Sequence, residues 1–456
     1  MSNLNKNKEL LLPIVTTLGA YGEKARSAED FSKMKVLVSH YETLLKHTQL
    51  LSGIMQDLIS GDLGEIYFHL GDYIKAKKIL KEIFFKSNKN YINNQIKWAQ
   101  GLVYFGAVQR ELGEYELGRK FLEQGLEIYK KQIPKNYENI AWSLSHLGNT
   151  YRNLGKVEKA KANLEESLTI YKRYFPENYS GIGQTLTNLG IVYSINGEYE
   201  KARVFLEESL LTFKKTKPEN SLGIARTLVY LGYAYKELGY YEYAKKALEQ
   251  SLKIYKAHFQ SDHTDVAWVS VCLGDIYRLL GYFENSKEII EKSIEIYKKK
   301  FKENHIDTTW ASIYLGYVYT DLGYYEEAKE LLEKGLVIYQ ATFCNNHIDI
   351  ASLLRNLGKV YFKLADYQTT EKLLVKALSI FQKNNHPESY MCLEMLSELY
   401  QKNSIHTINT KNKNKHQYLK NKSINYLKKA LETVKTHFPK YSPHITRIES
   451  KLRDLK

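Results

Sequence analysis

A leucine–glycine pair returns every 42 residues, at Leu63-Gly64, Leu147-Gly148, Leu189-Gly190, Leu231-Gly232, Leu273-Gly274, Leu315-Gly316 and Leu357-Gly358, with Phe105-Gly106 in the remaining place. Seven residues further on stands a second glycine, at Gly71, Gly113, Gly155, Gly197, Gly239, Gly281 and Gly323, with Ala365 in the eighth unit. Two registers held over eight units mean that one supersecondary unit is being repeated. The 456 residues therefore count repeats rather than unrelated domains.

Each unit reads as a helix hairpin. A tyrosine follows the first glycine by three residues, at Tyr67, Tyr151, Tyr193, Tyr235, Tyr277, Tyr319 and Tyr361. Small residues follow it by twelve (Ala76, Gly118, Ala160, Ala202, Ala244, Ser286, Ala328, Thr370) and by nineteen (Gly125, Ser167, Ser209, Ser251, Ser293, Gly335, Ala377). The first glycine lets a neighbouring helix approach, the second ends helix A in a left-handed turn, and the small residues are contact points on helix B. Leu164, Leu168 and Tyr171 fall on one helical stripe. Such a hairpin cannot bury its apolar face alone, so neighbours must stack into a continuous core.

The composition agrees. An apolar content of 43% suits a folded soluble protein, and 7 prolines leave long stretches free to be helical. Cys272, Cys344 and Cys392 show neither the spacing of a zinc site nor the even number of a disulfide framework, which favours a reducing, cytoplasmic setting. No apolar run is long enough to cross a bilayer. Lys6 and Lys8 ahead of Leu10–Ala20 superficially fit a secretory signal, but Glu9, Pro13, Thr16 and Thr17 interrupt it, and a first helix packed on the array is the plainer reading. Export as an effector stays open.

The Leu-Gly, Tyr, Gly-x-Tyr and Ala/Ser pattern, as in Leu231-Gly232, Tyr235, Gly239-Tyr240-Tyr241 and Ala244, resembles the tetratricopeptide repeat. The 42-residue length, with units opened by His263-Thr264-Asp265, His305-Ile306-Asp307 and His347-Ile348-Asp349, is similar to the variety found in kinesin light chains. The resemblance implies an all-α fold, a right-handed superhelical solenoid of antiparallel helix pairs. Residues 1–50 are expected to cap the array as degenerate helices, with eight repeats over 51–386, a ninth over 387–440 and a closing helix over 441–456. About eleven extra residues fall in the polar stretch 403–420, which reads as a mobile loop. Residues 8–46 also resemble the segment preceding such repeats in bacterial signalling ATPases, yet the sequence holds no GxxxxGK[ST] loop.

In such arrays helix A lines the concave surface, so its outward positions are the candidate peptide-binding groove. Two residues before the first glycine stand Tyr104, His146, Asn188, Tyr230, Cys272, Tyr314 and Asn356; one residue after it stand Asn149, Tyr233, Asp275, Tyr317 and Lys359. Tyrosine offers a flat apolar body with a hydroxyl, and asparagine a donor and an acceptor, a mixture suited to a peptide. The alternative is that these residues pack the next repeat. In kinesin light chains the equivalent line is dominated by asparagines; Asn188 and Asn356 keep that identity. Four residues after the glycine, Arg110, Arg152, Lys236 and Arg278 would favour an acidic ligand, with a solvated helix face as the equal alternative.

Trp142, Trp268 and Trp310 stand in register and read as packing between repeats, with Trp98 nearby. The co-chaperone type of repeat grips a carboxylate with a lysine, and the places for it hold Ser145, Thr187, Val229, Val271 and Ile313. His263, His305 and His347 are one to a unit, too far apart to share a metal, and read as helix openers. Cys272 has no patterned histidine beside it to make it a nucleophile. The net charge of +15 sits mainly in residues 401–456, with 14 Lys/Arg against 3 Asp/Glu, so contact with nucleic acid or anionic membrane there is a secondary reading. The expectation is a non-enzymatic scaffold or adaptor without cofactor, metal or small-molecule substrate, holding a protein or peptide segment. The alternative is a peptide-responsive regulatory receptor.

Overall fold

The computed structural model describes residues 2–27, 31–47, 51–86, 95–216, 221–301, 305–343, 345–408 and 413–455. Among these there are twenty-one helices and no strand. In chain order they are α1 Ser2–Ser27, α2 Phe31–Lys46, α3 Gly53–His69, α4 Tyr73–Lys86, α5 Gln95–Glu111, α6 Tyr115–Lys131, α7 Tyr137–Asn153, α8 Val157–Tyr174, α9 Tyr179–Ile195, α10 Tyr199–Phe213 and α11 Ser221–Glu237. There follow α12 Tyr241–His258, α13 Thr264–Leu279, α14 Phe283–Lys300, α15 Ile306–Leu322, α16 Tyr325–Thr342, α17 Ile348–Lys363, α18 Tyr367–Lys383, α19 Ser389–Ile408, α20 Lys413–His437 and α21 Pro443–Leu455. The chain divides into two compact units, Met1–Val192 with Leu211–Asn220, and Tyr193–Leu210 with Ser221–Lys456.

Within each hairpin the sequence pattern acts as physical chemistry requires. The second glycines all adopt positive φ, from 70° at Gly155 to 89° at Gly323, the left-handed turn that frees helix A from helix B. Ala365 takes the same turn at φ 61°, so one unit bears the cost of a Cβ there. The first glycines are close-packed: a Cβ on Gly148 would lie 2.6 Å from Leu164 Cγ, and one on Gly274 2.6 Å from Ile290 Cγ1. Small residues on helix B fasten it to helix A, where Ser167 donates to the Ala141 carbonyl at 2.7 Å and Ser251 to that of Ala225 at 2.8 Å.

Successive hairpins are tied by the patterned tyrosines. Tyr151 donates to Glu123 at 2.5 Å, Tyr235 to Glu207 at 2.8 Å, Tyr319 to Glu291 at 3.2 Å and Tyr361 to Glu333 at 2.6 Å, each reaching from helix A to helix B of the preceding repeat. The opening histidines cap their helices: Nδ1 of His263, His305 and His347 accepts from the backbone of Asp265, Asp307 and Asp349. Their rings stack on Phe259, Phe301 and Phe343.

The stretch 403–420 departs from the loop expectation. α19 continues to Ile408 and α20 starts at Lys413, with Ser404 hydrogen-bonded to His416 Nδ1 at 2.8 Å; residues 409–412 lie outside the described set. Its polarity is that of a helix face: Leu419 is buried while Lys413, Lys415 and Tyr418 face solvent. No helix among the described residues is long and apolar enough to cross a membrane.

Candidate functional site

The residues selected from the sequence separate into two sets. Arg110, His146, Asn149, Arg152 and Asn188 lie in the first unit, and Tyr230, Tyr233, Lys236, Asp275, Arg278, Tyr314, Tyr317 and Asn356 in the second.

In the first unit helix A of successive repeats presents aromatic rings and amides. Phe68 on α3, Tyr104 on α5 and Trp142 with His146 on α7 form one group, with Tyr104 4.6 Å from Trp142 and Trp142 4.0 Å from His146 between centroids. Trp142 thus bridges repeats. Asn188 is buried; its amide donates to Ser145 Oγ at 3.3 Å and its carbonyl accepts from Gln184 at 3.3 Å. Asn149 is 6% exposed, and its side-chain oxygen has no hydrogen-bond partner among the described residues; the same holds for Oε1 of Gln109, 2% exposed. A buried acceptor left unmade costs about 1–3 kcal/mol, so both atoms call for a donor. Arg110 pairs with Glu111, and Arg152 donates to Asn153 Oδ1 at 3.0 Å.

The second unit is built from charge. Lys236 pairs with Glu237 at 2.9 Å and Asp275 at 3.3 Å; Arg278 pairs with Asp275 at 2.7 Å and reaches Asp321 at 2.8 Å; Asp321 takes Lys359 at 2.7 Å. This ladder of alternating sign crosses α11, α13, α15 and α17. Beside it Arg355 holds Glu388 at 2.7 Å. Burial raises the Asp275 carboxyl, but Arg278 and then Lys236 outweigh it and hold it below the usual carboxylate range. For Glu237 burial dominates, opposed by Lys236 and reinforced by the like charge of Glu388, and its carboxyl is pushed up.

Tyrosines flank the ladder. Lys236 Nζ lies 4.8 Å from the Tyr233 ring, the Arg278 guanidinium 5.8 Å from Tyr317, and Tyr314 sits between Trp310 and Tyr317. Tyr230 packs on Trp268 at 5.6 Å, and Asn356 donates to the Ser352 carbonyl within its own helix. Burial pushes the Cys272 thiol up to about 12, far from a thiolate at neutral pH. Cys344 lies outside the described residues.

Sequence reasoning singled out Lys236, Arg278 and Asp275 but not Glu237 and Asp321, the other carboxylates of the ladder. Glu237 and Asp321 both stand five residues after a first glycine, and Arg355 three before one. Reading the columns for alternating sign would have found the ladder; reading each column for one sign does not.

The tetratricopeptide repeat profile matches residues 99–173, 181–257 and 265–341, and a second profile of the same repeat matches 61–84. The chain belongs to the tetratricopeptide repeat family. The crystal structure of a Rap protein complexed with Competence and Sporulation Factor superposes with a TM-score of 0.63 at 15% identity, over 82% of this chain and 99% of that one. The apo form of the quorum sensor NprR from B. thuringiensis gives 0.58 at 15% identity, over 81% and 99%. A Podosopora anserina kinesin light chain with nearly identical TPR-like repeats is 24% identical over 44% of this chain and 95% of that one, with a TM-score of 0.33. The first two likenesses are of fold. No curated protein matches the sequence.

Proposed function

We propose that the chain is a non-enzymatic scaffold that holds a peptide or protein segment against the helix-A face of its repeats. The observation that carries this reading is the two buried amide oxygens, on Gln109 and Asn149, without a partner among the described residues, carried by the same two helices, α5 and α7, that bear the aromatic group of Tyr104, Trp142 and His146. Amide oxygens that lack donors suit the N–H groups of an arriving chain, and the rings give its side chains a flat apolar floor. Most of that recognition rests on Asn149 and, in the same way, on Gln109, since the Asn188 amide is already bonded to Ser145 and Gln184. The Rap protein, complexed with Competence and Sporulation Factor, gives a precedent for a bound partner on this fold.

The cation line still favours an acidic segment, by exchange: ligand carboxylates would compete with Asp275 and Asp321 for Lys236 and Arg278. Such exchange would change the geometry between repeats, which supports the second reading, a receptor whose shape responds to its ligand. Contact with a polyanion through the basic C-terminal region is a lesser alternative.

Capture from cell extract with the wild-type chain and with an Asn149→Leu chain tests the primary reading. A protein retained by the first and lost by the second, with melting unaltered, supports it, whereas equal retention sinks it. Scattering of the chain with and without that partner separates receptor from passive scaffold. Charge reversal of Lys413, Lys415, Lys428 and Lys429 abolishes retention only if the basic surface is the true site.

A further inference from the structure

Seven turn glycines with positive φ punctuate the repeats, and five of them, Gly71, Gly113, Gly155, Gly281 and Gly323, have open space where a Cβ would stand. The other two are covered, in each case by a histidine–proline pair from far along the chain. A Cβ on Gly197 would fall 2.2 Å from Pro387 Cδ and 3.6 Å from His386 Cδ2; one on Gly239 would fall 3.4 Å from Pro443 Cγ and 3.4 Å from His444 Cε1. His444 also links the two sides by hydrogen bonds, Nε2 to the Glu237 carbonyl at 3.0 Å and Nδ1 to the Tyr390 hydroxyl at 3.3 Å. Around these contacts Tyr199 and Leu238 share one buried apolar cluster with Tyr390, Val434, Phe438 and Ile448. The last helices of the second unit therefore grip its first turns.

We propose that His386-Pro387 and Pro443-His444 are the two jaws of an intramolecular clamp that closes the second unit on itself and opens when the histidines take up protons. His444 faces the Glu237 carbonyl, the Tyr390 hydroxyl, the Phe438 ring and the Arg447 cation, itself paired with Glu394 at 2.7 Å. His386 faces Glu388, Arg355 and His437, with its ring against Phe381 and Tyr199 and its Nδ1 without a partner among the described residues. Burial is the leading influence on both and favours the neutral imidazole, lowering His444 to about 4. The sign follows from linkage. Above the ordinary imidazole value both states leave His444 neutral and the clamp is at full strength; as pH falls below about 6.5 the open state binds a proton that the closed state refuses, and closure weakens.

The test is amide exchange on the full chain at pH 7.5 and 5.5, corrected for intrinsic rates, comparing residues 234–240 and 440–448 with 270–276. The expected result is a fall in protection of about tenfold at the two clamp segments, with 270–276 unchanged, and loss of that pH response in His444→Phe. Gly197→Ala should open the clamp at pH 7.5. Gly281→Ala, with the same left-handed strain and no jaw above it, should not. Protection independent of pH, an undiminished response in His444→Phe, equal effects of the two glycine variants, or collapse of all three segments together would each overturn the proposal. If His444→Phe does not fold, the glycine pair decides.

Discussion

The helix-A faces of the two units satisfy their polar groups in different ways. In the first unit the columns two before and one after the first glycine hold Tyr104, His146 and Asn149, with rings packed on rings and the Asn149 oxygen without a donor among the described residues. In the second the columns one and four after that glycine hold Asp275, Lys359, Lys236 and Arg278, and every one of these charges is paired across a repeat boundary. A polar residue on a repeat face can be satisfied by its neighbour or kept for a partner, and the two units make different choices. One face leaves a buried acceptor without a donor among the described residues; the other uses its charges to hold its own repeats together.

The comparison breaks most sharply at Asp275. It binds two largely buried cations, and Asp275→Ala leaves Lys236 only Glu237 and Arg278 only Asp321, so a loss of about 1.5–3 kcal/mol in denaturant unfolding is expected. A loss below about 1 kcal/mol would mean that the ladder is solvated and the contrast false. Because the Asp275 carboxyl is held below its ordinary value, its contribution is present at neutral pH and disappears as pH falls through that depressed value. Next come the close-packed glycines. Gly148→Ala meets Leu164 Cγ at 2.6 Å and the Ala160 carbonyl at 3.2 Å, so an overpacking cost of about 1–3 kcal/mol is expected. Gly358→Ala meets the flexible end of Leu374 at 3.1 Å, and its helix-propensity gain of about 1 kcal/mol should offset most of the strain. Thermal melting that ranks the two the other way would show that the repeats do not share one packing geometry. Smaller still is Tyr235→Phe. Glu207 keeps Arg203 as a partner, so only about 1 kcal/mol is expected, felt as weaker coupling between adjacent repeats.

What could be read without coordinates follows the period. Leu-Gly at fixed spacing gives the hairpin, the second glycine gives a left-handed turn, and His-x-Asp gives the helix start, because each is decided by residues within one unit or the next. The clamp escapes such reading. His444 meets Glu237 across 207 positions, a separation that is no multiple of 42, and only the accumulated rotation of many repeats brings them together. The ladder escaped for a different reason, since Lys236 finds its partners in other columns, at Glu237 and Asp275. In the stretch 403–420 the lysine and asparagine content suggests a loop, whereas Leu419, Ser423 and Leu427 at helical spacing mark a buried face.

The smallest expected effect on stability carries the most about function. Asn149 is buried with an acceptor that nothing among the described residues satisfies, so Asn149→Leu removes a desolvated oxygen and adds apolar contact. The melting temperature should stay within a degree or two of wild type or rise, since replacing an unsatisfied buried polar group by an apolar one of similar shape is neutral to stabilising. Asp275→Leu, an equally isosteric change in the second unit, should lose about 1.5–3 kcal/mol because it deletes a partner rather than an orphan. If Asn149→Leu costs as much as Asp275→Leu, the Asn149 oxygen is already bonded and the first unit is as self-contained as the second. If it costs nothing and yet abolishes capture of a partner, the instability that the chain tolerates at this position is explained by what binds there.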